Sequence, residues 1–336
     1  MSLRPCILLI TSGFQDYLSD GVLHGLRQLL GPLVVDYPKA DPMYCSYPES
    51  KRAELHGRGF SLYGMLDDIN IDRTNIPARL ARGEFNLVVF GDIYRSWGQF
   101  LQWQEWLQPE RTMLLDGADV PAIFPHAGRW WRRAGLRSLP SVHRKYRYFK
   151  REWTPETLRY RAHLSIPRSF ASRLYDKMGL HEISFSIPDS KVCAAPRAKT
   201  KLLTQHIVDP ELAQLVHGST RYVFDREDDY YNDLQVSRFG VTTRRAGWDC
   251  LRHYEIAANG CVPCFRDLQA KPSKCAPHGL DETNCISYRD SRDLVHRLEN
   301  TSDEKYAQLQ RGALEWARAH TTVETARRIV DQIQAL

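Results

Sequence analysis

The sequence has no long hydrophobic run. Nothing approaches the roughly 20 consecutive apolar residues that cross a bilayer, so no spanning helix is expected. Residues 1–10 carry one arginine and a short apolar stretch, but polar and charged residues follow and no small-residue cleavage site appears. They read as a buried first strand and not as a signal peptide, and the expected compartment is the cytoplasm. Internal repeats and low-complexity tracts are also missing, which argues against a solenoid or a fibrous chain. A paired Cys-x-x-Cys is missing too. Of eight cysteines, Cys261, Cys264, Cys275 and Cys285 form a cluster, but the second pair does not repeat the spacing of the first, and Pro263 sits inside the first. Zinc is therefore not expected, and reduced, mostly buried thiols are.

What is present is ordinary globular composition, 43% apolar and 26% charged, over 336 residues. That length suggests two domains, each able to bury a core. Short apolar runs at residues 6–11 (CILLIT), 33–36, 87–90 and 112–115 predict strands, with helices over 22–30 and 99–107. Strands alternating with helices imply βαβ units and a mainly parallel sheet. A boundary is expected near 190–198, where Pro188, Pro196 and small residues cluster. Beyond it, residues 201–204, 221–224, 239–242, 261–265 and 284–288 predict strands, 225–230 an acidic turn, and 209–216, 231–236, 249–258 and 290–300 helices. From 305 onward two helices break near His320. The expected domains are 1–190 and 191–336.

The chemistry concentrates in residues 239–265, FGVTTRRAGWDCLRHYEIAANGCVPCF. A strand ends in a loop with Arg244, Arg245 and Gly247, and a helix then begins near Asp249. Arg252 and Glu255, one turn apart, share a face of that helix. The helix stops at Gly260 and a buried strand follows. A helix amino terminus beyond the carboxyl end of a parallel strand is a natural anion site, and added arginines suit a diphosphate. A nearby carboxylate can accept hydrogen bonds from a ribose diol.

Arg252, Glu255, Ala257, Gly260, Cys261 and Pro263 resemble the donor-binding segment of GT-B glycosyltransferases, especially the exostosin-like and group 1 families. The resemblance implies two Rossmann-like αβα domains facing a cleft, with closing C-terminal helices returning to the first. It implies that domain 1–190 takes the acceptor and domain 191–336 a nucleotide-diphosphate sugar. Arg252 would contact the diphosphate and Glu255 the ribose, with Arg244, Arg245, Gly247, Thr204 and His206 as further donor contacts. One departure stands out. Group 1 sequences carry two glutamates separated by seven residues; Glu255 matches the second, but the first position holds Gly247. A retaining mechanism that uses that carboxylate lacks its residue here.

An acceptor hydroxyl must lose a proton, and an inverting transfer needs a base for it. Ligands of open α/β sheets sit beyond the carboxyl ends of the strands, which selects Gly13, Phe14 and Tyr17 as acceptor contacts and Asp20, Asp92 and Asp116 as candidate bases, with Asp16 and His24 nearby. Asp20 also reads as a helix N-cap, and His24 as a satisfied helix histidine. Asp225, Asp228 and Asp229 do not have the Asp-x-Asp spacing of metal-dependent GT-A enzymes, so no metal and no cofactor is expected.

The net charge of +6 is unevenly spread: Arg129, Arg132, Arg133, Arg137, Arg144, Lys145, Arg147, Lys150 and Arg151 are interleaved with Trp130, Trp131, Tyr146 and Tyr148. This run suggests contact with phosphates. It opens a nucleic-acid-binding or nucleic-acid-modifying function as an alternative, or peripheral docking on the inner membrane face. The acceptor is accordingly left as a glycan, a lipid-linked glycan or a modified nucleic acid.

Overall fold

A computed structural model describes residues 5–125, 142–157, 173–174 and 178–334. The run CILLIT supplies β1 (Ile7–Ile10), buried on both faces: Ile7 and Leu9 enter one core layer, Leu8 and Ile10 the other. Side chains alternate along a strand, so an all-apolar strand fits a sheet covered on both sides. Around it lie β2 (Val34–Tyr37), β3 (Leu87–Phe90), β4 (Thr112–Asp116), β5 (Arg147–Lys150) and β6 (His181–Glu182), all parallel, in the order β2-β1-β3-β4-β5-β6. The order reverses direction at β1, which puts the switch-point crevice at the carboxyl ends of β1 and β3.

The second sheet, β7 (Lys201–Leu203), β8 (Ser237–Thr242), β9 (Val262–Arg266) and β10 (Ile286–Tyr288), is also parallel, in the order β10-β9-β8-β7. The helices used below are α1 (Tyr17–Leu30), α2 (Trp97–Trp103), α3 (Pro210–Leu215), α4 (Glu227–Val236), α5 (Leu251–Ala258), α6 (Ser291–Glu299), α7 (Asp303–Ala319) and α8 (Thr322–Gln334).

Several expectations change. Residues 221–224 form no strand, and the acidic turn is mostly the first turn of α4, where Glu227, Asp228 and Asp229 complement the helix dipole. The helix expected over 99–107 is α2 followed by a 3₁₀ turn. β5 comes from the end of the basic aromatic run, which gave no strand signal. The N-cap of α1 is Asp16, whose carboxylate accepts from the Leu18 and Ser19 amides; Asp20 lies one turn further in and is buried.

α8 returns to the first sheet and lies along α1. The two backbones touch at Gly25, where a Cβ would stand 1.8 Å from the Thr322 carbonyl oxygen. Beside it His24 Nδ1 bonds Thr322 Oγ1 at 2.8 Å, and burial pushes the imidazole down to about 4. His24 is thus a packing residue. Cys261, Cys264, Cys275 and Cys285 are buried free thiols, and among the described residues no group of three or more His, Cys, Asp or Glu is placed to hold a metal. No helix among the described residues is long and apolar enough to cross a membrane.

Candidate active site

Between the two sheets lies a cavity of about 770 Å³. The second half contributes the loop after β8 and the start of α5. This helix forms because Tyr254, Ile256, Ala257 and Ala258 are buried against the second half's core. It ends at Asn259, before Gly260 at φ +64°, a left-handed turn that glycine adopts without strain. Its N-cap, Cys250, makes no side-chain capping bond, so the amino end opens towards the cavity that Cys250, Leu251 and Arg252 line. His253, on the inner face, is fixed by Thr242 Oγ1 at 2.9 Å and the Trp248 carbonyl at 3.0 Å, and burial pushes its imidazole down to about 3.

Arg245, Gly247, Arg252, Glu255 and His206 all line this cavity, as expected, and Tyr17 lines it from the first half. Arg252 and Glu255 form no ion pair; Arg252 Nη1 is buried without a hydrogen-bond partner among the described residues. A guanidinium nitrogen desolvated and unpaired is costly unless a ligand completes it. Burial, with Arg252 close by, pushes His206 down to about 4, so its ring is neutral at neutral pH; Nε2–H donates to the Thr220 carbonyl at 3.3 Å.

Glu255 is less free than its expected role requires. Its carboxylate accepts from Ser61 Oγ and, at 2.8 Å, from Tyr230 Oη. Burial raises its pKa, partly offset by those hydroxyls. Ser61 belongs to the first half and sits at φ +71°, strained for a non-glycine residue. The second half holds it there: its amide donates to Glu227 at 2.7 Å and Tyr231 Oη donates to its hydroxyl at 2.7 Å. Arg58–Asp225 at 2.7 Å adds an ion pair across the same contact.

Other expected contacts fall away. Arg244 lies over the Trp248 ring, 4.9 Å from its centroid, outside the cavity lining. Thr204 is buried and donates to the His206 carbonyl at 3.2 Å. Gly13, Phe14 and Asp20 line a separate cavity of about 80 Å³. None of the candidate bases reaches the main cavity, because each is satisfied internally. Asp20 accepts from the Asp16 amide and from Tyr63 Oη at 2.7 Å; burial and the neighbouring Asp16 raise it to about 7. Asp92 accepts from the Tyr94 and Arg95 amides and pairs with Arg95 at 3.1 Å. Asp116 accepts from Tyr148 Oη and pairs with buried Lys150 at 2.9 Å.

The described end of the basic run is interior. Lys150 is 0% exposed and Arg151 1%, and Arg151 donates to the Gly117 and Asp249 carbonyls, Asp119 and Glu152. Glu152 in turn accepts from the Trp248 amide at 2.7 Å and from Cys275 Sγ at 3.3 Å. The pair is a buried strut between the first sheet and the loop that carries Gly247. Arg129, Trp130, Trp131, Arg132, Arg133 and Arg137 lie outside the described residues.

Sequence reasoning missed Ser61, Asp119, Tyr222, Tyr230 and Glu152. The aromatic pattern at 222, 224, 230 and 231 was a usable signal once the acidic residues 227–229 are taken as a helix start. Ser61 and Glu152 gave none, because each gains its role only from a contact across the halves, and Asp119 gave none because it depends on Arg151, distant in sequence.

No family model and no curated protein matches the sequence. Among solved structures, the chain is similar to a glycosyltransferase from Rickettsia africae, with TM-score 0.55 and 8% identity over 99% of each chain. It is also similar to the Anabaena protein HepE in complex with UDP, with TM-score 0.55 and 8% identity over 99% of this chain and 100% of that one. HepE in complex with UDP and glucose gives TM-score 0.53 at 9% identity over the same shares. At such identity the likeness speaks for the architecture, and the architecture is the GT-B fold: two parallel sheets, a cleft between them, and a last helix that returns to the first sheet.

Proposed function

We propose that the chain is a metal-independent glycosyltransferase that moves a sugar from a nucleotide-diphosphate donor to an acceptor hydroxyl. The observation that carries this reading is the convergence of Arg245, buried Arg252 and the uncapped end of α5 on one cavity between the sheets. Donor phosphates would complete Arg252, and the charge that grows on the leaving diphosphate would be held by guanidinium groups and helix amides in place of a metal. Glu255 would accept the ribose hydroxyls, which replace the hydroxyl of Ser61 with donors of the same kind. Domain 191–336 would thus bind the donor and domain 1–190 the acceptor, in the cytoplasm. The UDP and glucose bound by the Anabaena neighbour make UDP sugars the first donors to try.

The test is a thermal-shift series with UDP, GDP, ADP and their glucose or mannose conjugates. A ligand that binds only the folded chain raises its melting point by mass action. At least one nucleoside diphosphate and its sugar conjugate are expected to stabilise the protein, and Arg252→Ala to abolish the shift. Identical melting with every ligand up to its solubility limit would remove the basis of the reading.

A further inference from the structure

Resting on the glycosyltransferase reading, we propose that Asp119 is the general base of the reaction and that transfer inverts the anomeric configuration. Asp119 is the one carboxylate that the first half contributes to the described lining of the main cavity; the others there, Asp249 and Glu255, come from the second. It follows β4, beyond the carboxyl end of the sheet, where acceptor-side chemistry belongs.

Its position is tied to the donor loop. A Cβ on Gly247 would stand 2.5 Å from Glu152 Oε1, which is buried and already engaged by the Trp248 amide and Arg151, and 2.7 Å from Asp119 Oδ1. Gly247 occupies the place where the group 1 pattern has its first glutamate, so a carboxylate missing from the second half is supplied from the opposite wall. With the diphosphate held by Arg245 and Arg252 of the second half, an acceptor seated on the first half would attack the sugar from that wall, opposite the diphosphate. The Asp119 side chain is 51% exposed, whereas its partner Arg151 is 1% exposed and held by Glu152 and two carbonyls. The guanidinium fixes Oδ1, and Oδ2 accepts no hydrogen bond from the described residues. His56, the other titratable side chain on the first-half lining besides Tyr17 and Arg58, lines the same cavity and is the rival base that the experiment must separate from Asp119.

The acceptor O–H donates its proton to Asp119. The acceptor oxygen forms a bond to the anomeric carbon as the bond from that carbon to the diphosphate oxygen breaks. The electron pair leaves with the nucleoside diphosphate, stabilised by Arg245 and Arg252. Arg151 is a positioning residue, since it acts through Asp119.

The experiment uses UDP-glucose, or whichever nucleotide sugar the thermal shifts select, with methanol as acceptor in place of the unidentified one. Wild-type protein is expected to give the inverted methyl glycoside, read by NMR. Asp119→Asn keeps an oxygen for Arg151 and is expected to bind UDP within about twofold of wild type while losing about 10²–10⁴ in turnover. In Asp119→Ala, azide, an acceptor with no proton to lose, is expected to restore turnover and yield the inverted glycosyl azide. His56→Ala is expected to keep turnover within about tenfold of wild type, far above Asp119→Asn. A retained glycoside, unchanged turnover in Asp119→Asn, or a loss in His56→Ala as large as that in Asp119→Asn overturns the assignment while leaving glycosyl transfer in place. A wild-type protein that binds no nucleotide and turns over no donor overturns the function itself.

Discussion

The two halves have the same architecture and treat charge in opposite ways. In the first, charged side chains near the cleft are neutralised internally: Lys150 on Asp116, Arg95 on Asp92, Arg151 between Asp119 and Glu152. In the second, Arg245 and Arg252 reach the cavity with no ion pair among the described residues, although Glu255 lies near enough to favour the charged form of Arg252, and His206 is kept neutral. The difference assigns roles. Cations left unpaired in a partly desolvated cavity favour an anionic ligand, whereas a self-satisfied wall suits a neutral one such as a hydroxyl-bearing acceptor.

Removing the unpaired cation breaks the contrast most sharply. Arg252→Ala is expected to lower kcat about 10²–10³-fold, because its contact strengthens as the diphosphate leaves. It is not expected to lower the melting temperature, since the free protein loses a desolvated group and no hydrogen bond. Wild-type kcat in a folded variant would end the assignment.

Next comes the strut. Glu152→Ala leaves Arg151 short of a partner and the Trp248 amide short of an acceptor in the interior, and should cost about 3–5 kcal/mol in urea unfolding. A loss below about 1 kcal/mol, the value of a surface pair, would mean that the halves are not braced there.

Glu255→Gln tests the uncharged part of donor recognition. Ribose hydroxyls do not change during reaction, so donor KM should rise about tenfold with kcat little altered. A fall in kcat with constant KM would place Glu255 in the chemistry.

A smaller effect separates the first half's small cavity from the cleft. Burial and Asp16 raise Asp20 to about 7, above its unfolded value of about 4. The folded state then binds the proton more tightly, so this contribution to stability is present at low pH and is lost as pH rises towards and through 7. Asp20→Asn should therefore be more stable than wild type above neutrality, by on the order of 1 kcal/mol, with the advantage shrinking towards pH 5. The opposite slope, from melting curves across that range, would show Asp20 ionised and functional. The smallest expected effect is none: under the proposed function cations of the second half do a metal's work, so EDTA should leave nucleotide binding and turnover unchanged. Activity lost to EDTA and restored by Mn²⁺ would show that they do not.

Much was legible in advance because it is local. The run CILLIT can only be a doubly buried strand, the stop at Gly260 ends a helix by its left-handed backbone, and Arg252 and Glu255 share a face by helical spacing. Where local signals were weak the reading failed. Residues 221–224 have a strand-like pattern but gain no neighbouring strand, and β5 was hidden because Lys150 and Arg151 look solvent-seeking until Asp116 and Asp119 are brought to them.

The sequence by itself therefore determined the layers of the fold and the helix that carries Arg252 and Glu255, since periodicity, capping and turn chemistry act within a few residues. Only the tertiary structure decided which carboxylates are free. Asp20, Asp92 and Asp119 follow strands of one sheet and Asp116 ends one, and nothing in their local sequence separates them. Asp20 meets Tyr63, Asp92 meets exposed Arg95 and two backbone amides, and Asp116 meets Lys150 and Tyr148 from the next strand; Asp119 alone of the four keeps an oxygen towards the cleft. Availability depends on which distant groups fill a side chain's hydrogen-bonding capacity, and that is fixed when the chain packs.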